Sequence, residues 1–205
     1  MEREHKLAPD KDKTLSKLLE ASALCNDSQL LAPDTSSPQW RMIGDPTEGA
    51  LLTLVAKSGL DPIYIRNQYP RTAELPFDSD SKMMATEHSD EGKSIVYLKG
   101  APDILLELCD SIYHDGKIEA LDKKVRAEVH AAAKKMADSA LRLLAIGFVR
   151  DVCIDESKGF TAFSRKITLI GLIGELDPPR DEVAASVREC RLAGIKPVMV
   201  PCQPC

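Results

Sequence analysis

The stretch LKGAPDILLELC, residues 98–109, joins a predicted strand to a predicted helix through a single glycine. The strand is the run KSIVYLK, which ends in Lys99, and the helix begins at Pro102, a residue favoured at the first helical position. Gly100 lets a bound group approach the backbone closely, and the free N–H groups of a helix start favour an anion. The segment therefore predicts either an anion-binding turn or an ordinary strand–helix turn with a solvated lysine, and local physics alone favours the second.

Turn signals separate the predicted elements of residues 1–164. Asp45-Pro46-Thr47-Glu48 has the form of a capping box, which predicts a helix that ends near Gly59. An Asp-Gly pair at 115–116 predicts a β-hairpin. The other predicted elements are helices over 15–24, 102–109 and 122–139 and strands over 74–77, 82–88, 93–99 and 141–151. We therefore expect an α+β fold in which helices flank an antiparallel sheet.

Residues 165–205 show a different pattern. The run KITLIGLIGEL is continuously apolar, RDEVAASVRECRLAG predicts a helix, and IKPVMV predicts a second apolar strand. Strand, helix and strand in this order are typical of a Rossmann-like βαβ unit in a parallel sheet. One such unit cannot bury both faces of its strands, so we expect residues 165–205 to be the truncated start of a second domain.

The composition argues against several classes of protein. The formal net charge of −5 is unlike the basic surface of a nucleic-acid binder, and a hydrophobic share of 43% is enough for a folded core. No apolar run is long enough to span a membrane, and residues 1–14 lack the apolar segment of a secretory signal. The six cysteines are predicted to be reduced thiols in a cytosolic compartment, because the one CxxC pattern, at Cys202 and Cys205, has no second pair.

Several side chains could bind a ligand, and each has an ordinary structural alternative. Phe77 could stack on a nucleobase, with Lys82 offsetting ligand charge, or it could pack in the core. Glu48 could accept a hydrogen bond from an exocyclic amine, or it could serve only the capping box. Arg142 could clamp a phosphate, or it could form a surface salt bridge. The residue types by themselves leave these alternatives open.

Five motifs occur in a fixed order along the chain: GDPTEGALL, LPFDSDSKMM, YLKGAPD, ALRLLAIGFV and LIGLIGELDPPR. Together they resemble the nucleotide-binding domain of type II P-type cation-transporting ATPases, the calcium-pump-like group, and ALCNDSQL near the start is also similar to that family. The resemblance covers roughly residues 14–200. It implies that residues 1–164 form the nucleotide-binding domain and that residues 165–205 begin the phosphorylation domain.

The resemblance implies that the ligand is ATP, accompanied by magnesium in the full-length pump. Phe77 matches the ring that stacks on adenine, and Lys99 matches a lysine that lines the adenine pocket rather than one that clamps a terminal phosphate. Arg142 matches the arginine that reaches the phosphates. The complete set of matching residues is Glu48, Phe77, Lys82, Met84, Lys99, Gly100, Arg142 and Leu144.

The chain also departs from the family pattern. Asp12-Lys13-Thr14-Leu15 looks like part of the family's DKTGT phosphorylation motif, but it lacks the following Gly-Thr, so we reject the match and expect no catalytic residue. The family's TGD motif is replaced by PCQPC at 201–205, which we expect to reflect a truncation or frameshift. Asp78 and Ser79 stand where such pumps often carry an arginine, so phosphate binding is expected to be weakened. The resemblance implies that Asp177 of the DPPR segment organises a hinge or the ATP ribose-phosphate region, and the alternative is that it caps a helix.

We therefore expect an ATP-binding cytoplasmic domain of an integral membrane cation pump, soluble and monomeric as a fragment. Its expected partners are ATP and the phosphorylation and actuator domains of the parent pump, with no nucleic acid and no direct membrane contact. The fragment would position ATP without hydrolysing it, and calcium is the transported ion that the resemblance favours. Two alternatives stay open: a haloacid-dehalogenase-type hydrolase fragment, and a scaffold module that binds no nucleotide.

Overall fold

The computed structural model describes residues 9–33, 38–90, 92–176 and 181–198. The chain divides into two compact units, residues 1–175 and residues 176–205. The described part of the first unit contains a seven-stranded sheet and a separate two-stranded sheet. No helix in the described ranges has the length and apolar character needed to cross a bilayer.

The elements of the first unit follow one another in an irregular α+β order. Its helices are α1 (Lys13–Leu24), α2 (Pro46–Lys57), α3 (Pro62–Gln68), α4 (Pro102–Leu108) and α5 (Lys123–Asp138), with short 3-10 turns at Pro9–Lys11 and Gly159–Phe163. Its strands are β1 (Gln29–Leu31), β2 (Arg41–Ile43), β3 (Arg71–Asp78), β4 (Met83–Asp90), β5 (Lys93–Gly100), β6 (Cys109–His114), β7 (Lys117–Ala120), β8 (Arg142–Arg150) and β9 (Ile167–Glu175). The large sheet has the order β3-β4-β5-β8-β9-β6-β7, and every pair is antiparallel except β6 with β9.

Two apolar clusters hold helices against the two faces of this sheet. On one face, Tyr97 of β5 lies in a cluster with Leu24 of α1 and Leu51 of α2. On the other face, Leu98 belongs to a cluster with Leu105 of α4. Successive strand residues point to opposite faces, so both faces of the central strands are buried. The predicted α+β fold, in which helices flank an antiparallel sheet, is confirmed, except that the described strands β6 and β9 pair in parallel.

Helix α2 begins where the capping pattern predicted. The carboxylate of Asp45 accepts hydrogen bonds from the N–H groups of Thr47, at 2.8 Å, and Glu48, at 3.3 Å. In a complete capping box, the side chain of the N3 residue also accepts a hydrogen bond from the backbone N–H of the N-cap residue. Here the side chain of Glu48 bonds to other parts of the chain instead. The interpretation that capping alone accounts for Glu48 is therefore wrong.

Strand β9 corrects the prediction made for residues 165–205. Ile167–Glu175 pairs antiparallel with β8 and parallel with β6, so it belongs to the seven-stranded sheet rather than to a βαβ unit. A central strand with both faces covered needs apolar residues throughout, whether its neighbours are parallel or antiparallel. The first compact unit therefore extends to Glu175 and not to residue 164.

The second compact unit contains the last predicted helix, observed as α6 (Asp181–Leu192). Residues 195–198, the described part of IKPVMV, carry no strand. Asp177 and the rest of the DPPR segment, as well as PCQPC, lie outside the described residues. That this unit begins a phosphorylation domain stays a prediction.

Buried His88 makes the stability of the fold depend on pH. Its ring nitrogens lie 2.9 Å from the carbonyl oxygen of Tyr69 and 2.9 Å from the hydroxyl of Thr86. Burial is the main cause that lowers the pKa of His88 below 6.5, with the nearby positive charge of Arg71 acting in the same direction. The unfolded chain therefore binds a proton at a higher pH than the folded chain does.

We predict that this histidine's contribution to the free energy of unfolding is constant above about pH 6.5 and falls as the pH drops below it. His88→Gln keeps a hydrogen-bonding side chain but cannot titrate. Urea unfolding of both proteins between about pH 8 and pH 5 checks the prediction. The difference in the free energy of unfolding between the two proteins should shrink toward acid pH. A difference that stays constant with pH would contradict the prediction.

Candidate functional site

A cavity of about 370 Å³ opens at the ends of β5 and β8, beside the start of α2. We call it the hollow, and it is defined by the residues that line it. These are Asp27, Gly44, Asp45, Thr47, Glu48, Phe77, Lys99, Gly100, Arg142 and Leu144. Its volume lies within the range of small-molecule sites, which is roughly 300–1,000 Å³.

A buried ion pair lies on the wall of the hollow. The ammonium of Lys99, near the end of β5, donates hydrogen bonds to the Oε1 atom of Glu48 and, at 2.8 Å, to the carbonyl oxygen of Cys25. The two charged side chains are only 7% and 13% exposed. Each charge is therefore compensated mainly by the other, as a buried charge must be.

Glu48 also connects helix α2 to the segment that follows α1. Its Oε2 atom accepts hydrogen bonds from the backbone N–H groups of Asp27, at 2.9 Å, and Ser28, at 3.0 Å. The side-chain amide of Asn26 donates to the backbone carbonyl of Glu48 at 2.9 Å. One carboxylate thus joins β5, α2 and the loop at 26–28, so the wall of the hollow is rigidly built.

Phe77 lines the mouth of the hollow near the end of β3. Its side chain is 64% exposed, although the unit has apolar clusters on both faces of its sheet. The ring is therefore available for contact with a ligand, and the alternative that Phe77 is a core residue is wrong. Removal from water of an exposed aromatic surface is favourable when a flat apolar ligand covers it.

Gly100 lines the hollow and is also required by the packing of the strands. A Cβ atom at this position would lie 2.6 Å from the Cγ of Met83 and 2.7 Å from the backbone oxygen of Lys82. The backbone of Lys82 is fixed there, because its oxygen accepts a hydrogen bond from the N–H of Ala101. The glycine therefore has a structural reason in addition to any contact with a ligand.

Arg142 and Leu144 reach the hollow from the start of β8. They are two residues apart on one strand and so project to the same face of the sheet. Leu144 packs against the apolar cluster beneath the hollow, while Arg142 is exposed. The Arg142 guanidinium has the carboxyl group of Glu175 as an electrostatic neighbour, and it is exposed to solvent, where an anion can reach it.

Six of the eight predicted site residues line the hollow, and two do not. Met84 is fully buried in the cluster below, where it packs with Leu51 and Tyr97. Lys82 is exposed in the β3–β4 turn, where its backbone adopts a φ of 51° and its N–H bonds to the carbonyl of Asp78 at 2.7 Å. In this structure, Met84 supports the floor of the hollow and Lys82 lies outside its lining.

Sequence reasoning missed four residues that line the hollow: Asp27, Gly44, Asp45 and Thr47. Three of them precede Glu48 within the GDPTE segment, so the motif itself signalled them. Asp27 lies in the ALCNDSQL segment, where only its position after a helix could have drawn attention to it. Its carboxylate forms an ion pair with Arg71 at 2.6 Å, a contact between residues far apart in sequence.

The charges around the hollow are unevenly distributed. The carboxylates of Asp27, Asp45 and Glu48 belong to segments 26–28 and 45–48, whereas Arg142 enters from β8. Such a site suits a ligand with hydrogen-bond donors at one end and negative charge at the other. The described residues contain no group of three or more His, Cys, Asp or Glu side chains arranged to hold a metal ion.

Comparison with known proteins gives a consistent set of relatives. Residues 14–182 match the family model described as the P-type ATPase cytoplasmic domain N. The chain is 37% identical over 199 residues to a protein named Calcium-transporting ATPase from Bacillus subtilis. The aligned region covers 96% of this chain and 22% of that protein. It is 36% identical over 187 residues to Cation-transporting ATPase pma1 from Synechocystis. That aligned region covers 91% of this chain and 20% of that protein.

A third relative is Calcium-transporting ATPase 1 from Lactococcus lactis, with 35% identity over 183 residues, 89% of this chain and 20% of that protein. The chain therefore spans about a fifth of the length of the curated relatives it matches.

The Lys99–Glu48 pair gives a prediction about stability. Lys99→Met leaves the Glu48 carboxylate buried without its cation, so we expect a loss of about 3 kcal/mol in the free energy of unfolding. Lys99→Met combined with Glu48→Gln removes both charges and should cost less than the sum of the two single variants. Urea unfolding of the four proteins measures this coupling.

The exposed pair Lys158–Asp155, whose charged atoms lie 2.8 Å apart, is the matched control. The same double-mutant cycle at that pair should show no measurable coupling, because solvent screens it. Equal coupling at the two pairs would contradict the interpretation that burial makes the Lys99–Glu48 pair strong.

Proposed function

Because the chain belongs to the family of the P-type ATPase cytoplasmic domain N, we propose that it binds ATP in the hollow and positions its γ-phosphate for transfer. The observation that carries this proposal is the placement of an exposed phenylalanine at the mouth of a cavity with a buried lysine–glutamate pair in its wall. A purine needs a flat apolar contact on its face and polar partners at its edge.

The adenine ring would enter the hollow and stack on Phe77. Leu144 offers an apolar surface from β8, and the backbone at Gly100 forms part of the lining beside it. The polar edge of adenine would face Glu48 and Lys99, an acceptor and a donor that are already fixed by their own hydrogen bonds. Such preorganised partners lose little entropy when the ligand binds.

The phosphate chain would leave the hollow on the side of Arg142. The guanidinium is exposed and can form two parallel hydrogen bonds with phosphate oxygens. The three carboxylates of the hollow disfavour phosphate near segments 26–28 and 45–48, so charge repulsion sets the orientation of the nucleotide. Lys82, exposed in the β3–β4 turn, would remain in solvent or approach the ligand from outside the lining.

In the parent pump, this domain would carry ATP to an aspartate of a neighbouring phosphorylation domain. A carboxylate oxygen of that aspartate would bond to the γ-phosphorus while the bond from phosphorus to the bridging oxygen breaks, which gives an aspartyl phosphate and ADP. Magnesium bound with ATP would neutralise charge on the phosphates. We further propose that the pump is a cation transporter driven by cytoplasmic ATP. We propose calcium as the cation, since two of the relatives are named for calcium transport.

The chain by itself is expected to bind ATP without hydrolysing it. The carboxylates that line the hollow already accept hydrogen bonds: Glu48 from two backbone N–H groups and Lys99, Asp45 from the start of α2, and Asp27 from Arg71. These carboxylates hold the wall of the hollow together, and we assign none of them the role of nucleophile. A phosphate-release assay should give the rate of buffer alone, and turnover above that rate would contradict this expectation.

Phe77→Ala tests the stacking contact directly. We predict that the variant binds ATP about tenfold or more weakly in isothermal titration calorimetry, because stacking on one base contributes about 1–3 kcal/mol. Its free energy of unfolding should change by less than about 1 kcal/mol, because the ring is exposed in the free protein.

Tyr64→Ala is the matched control for this variant, since Tyr64 is 63% exposed on α3 and is not part of the hollow. It should bind ATP like the unmodified chain. If Phe77→Ala keeps full affinity, the stacking role is wrong. If the unmodified chain binds no nucleotide, the alternative of a scaffold module is favoured.

A further inference from the structure

The carboxyl group of Glu175 lies next to the hollow without being part of its lining. Glu175 is the last residue of β9 and is the cross-strand partner of Arg142 on β8. The next pair on the same face is Leu144 with Ile173, which belongs to the cluster beneath the hollow. Because directly opposite residues of paired strands project to one face, Glu175 and Arg142 are neighbours on the face that carries the hollow.

One oxygen of Glu175 is buried and unsatisfied. Within the described part of the chain, its Oε1 atom has no hydrogen-bond partner. A buried carboxylate oxygen without a donor is costly, so such an atom needs a specific explanation. The cost falls if the carboxyl group is protonated, or if the positive charge of Arg142 compensates it.

Three charged groups act on Glu175 from three elements. Arg142 of β8 and Lys99 of β5 favour its ionised form, and Asp45 at the start of α2 opposes it. Lys99 is already bound to Glu48 and to the carbonyl of Cys25, so Arg142 is the cation available to Glu175. Burial is the largest influence, and it raises the pKa of Glu175 to about 7.

We propose that Glu175 determines how strongly the hollow binds the phosphate end of a nucleotide, because its carboxyl group shares the guanidinium of Arg142 with that phosphate. The inference rests on the proposed binding of ATP in the hollow. It assigns a specificity role to a residue that does not contact the base.

The competition depends on the charge of Glu175. When the carboxyl group is ionised, it attracts Arg142 and repels phosphate, so phosphate binding is weakened. When it is protonated, Arg142 is free and the repulsion is gone. Phosphate binding therefore raises the affinity of Glu175 for a proton, and by linkage a lower pH favours phosphate binding.

Glu175→Gln removes the charge and keeps the shape of the side chain. At about pH 8, we expect this variant to bind ATP about fivefold more tightly than the unmodified chain, which is the effect of a partly screened charge contact. At about pH 6, the two proteins should bind ATP with nearly equal affinity. Adenosine, which has no phosphate, should bind both proteins equally at either pH. Glu119→Gln, at an exposed position on the edge strand β7, is the control for loss of one negative charge.

Proton uptake provides a second measurement that a merely structural role would not change. Titration calorimetry with ATP at about pH 7 in buffers of different ionisation enthalpy should show that the unmodified chain takes up about a third of a proton more than Glu175→Gln. Glu119→Gln should match the unmodified chain.

The possible outcomes separate the two proposals. Tighter ATP binding by Glu175→Gln with unchanged adenosine binding, together with the lost proton uptake, supports the role of Glu175. Equal ATP binding by all variants, or an equal change for ATP and adenosine, overturns that role and leaves ATP binding intact. Failure of the unmodified chain to bind either ligand at any pH overturns the proposed function, and the role of Glu175 with it.

Discussion

The architecture around the hollow depends on the buried ion pair between Lys99 and Glu48. It connects the end of β5 to the first turn of α2, and the second oxygen of Glu48 holds the backbone at Asp27 and Ser28. A buried ion pair contributes little net stability compared with apolar residues of similar size, because both charges lose their hydration. Under the proposed function, its place in the wall of an open cavity would serve ligand recognition rather than stability of the fold.

The second constraint is the exposed ring of Phe77. A large aromatic side chain left in water forgoes the favourable free energy of burial, and it does so here beside a cavity that has polar groups in its wall. The ion pair fixes the polar edge of the hollow, the ring provides an apolar face, and Arg142 provides positive charge at one end. In the proposed binding mode, these features would give each part of a nucleotide a matching contact, and Glu175 would adjust the contact with the phosphates.

Much of the fold could be predicted from sequence because its signals are local. The capping box at Asp45, the proline at Pro102, the Asp-Gly turn and the apolar patterns placed α1, α2, α4, α5 and most strands of the large sheet. The misassigned strand was β9, because an apolar run shows that both faces of a strand are buried and does not identify its neighbours. Short elements such as β1, β2 and α3 carry too few residues to give a clear period.

The site was predictable to the extent that the family motifs contain it. Six motif residues line the hollow, but the motifs could not reveal that Met84 is turned into the core or that Lys82 lies outside the lining. Asp27 and Glu175 escaped notice because their significance comes from partners that are distant in the chain, Arg71 and Arg142. Such pairings depend on sheet register and side-chain direction, which a single sequence does not encode locally.

In the proposed complex, a nucleotide occupies the hollow with its base on Phe77. The most direct test is a nuclear magnetic resonance titration of the isotope-labelled chain with ATP, followed by measurement of contacts between adenine protons and side chains. Binding in the hollow should give the largest shifts at Gly100, Glu48 and Arg142, with through-space contacts from adenine to Phe77 and Leu144. Shifts confined to another cavity, such as the groove between Trp40 and Ile63, or no shifts at saturating ATP, would contradict it.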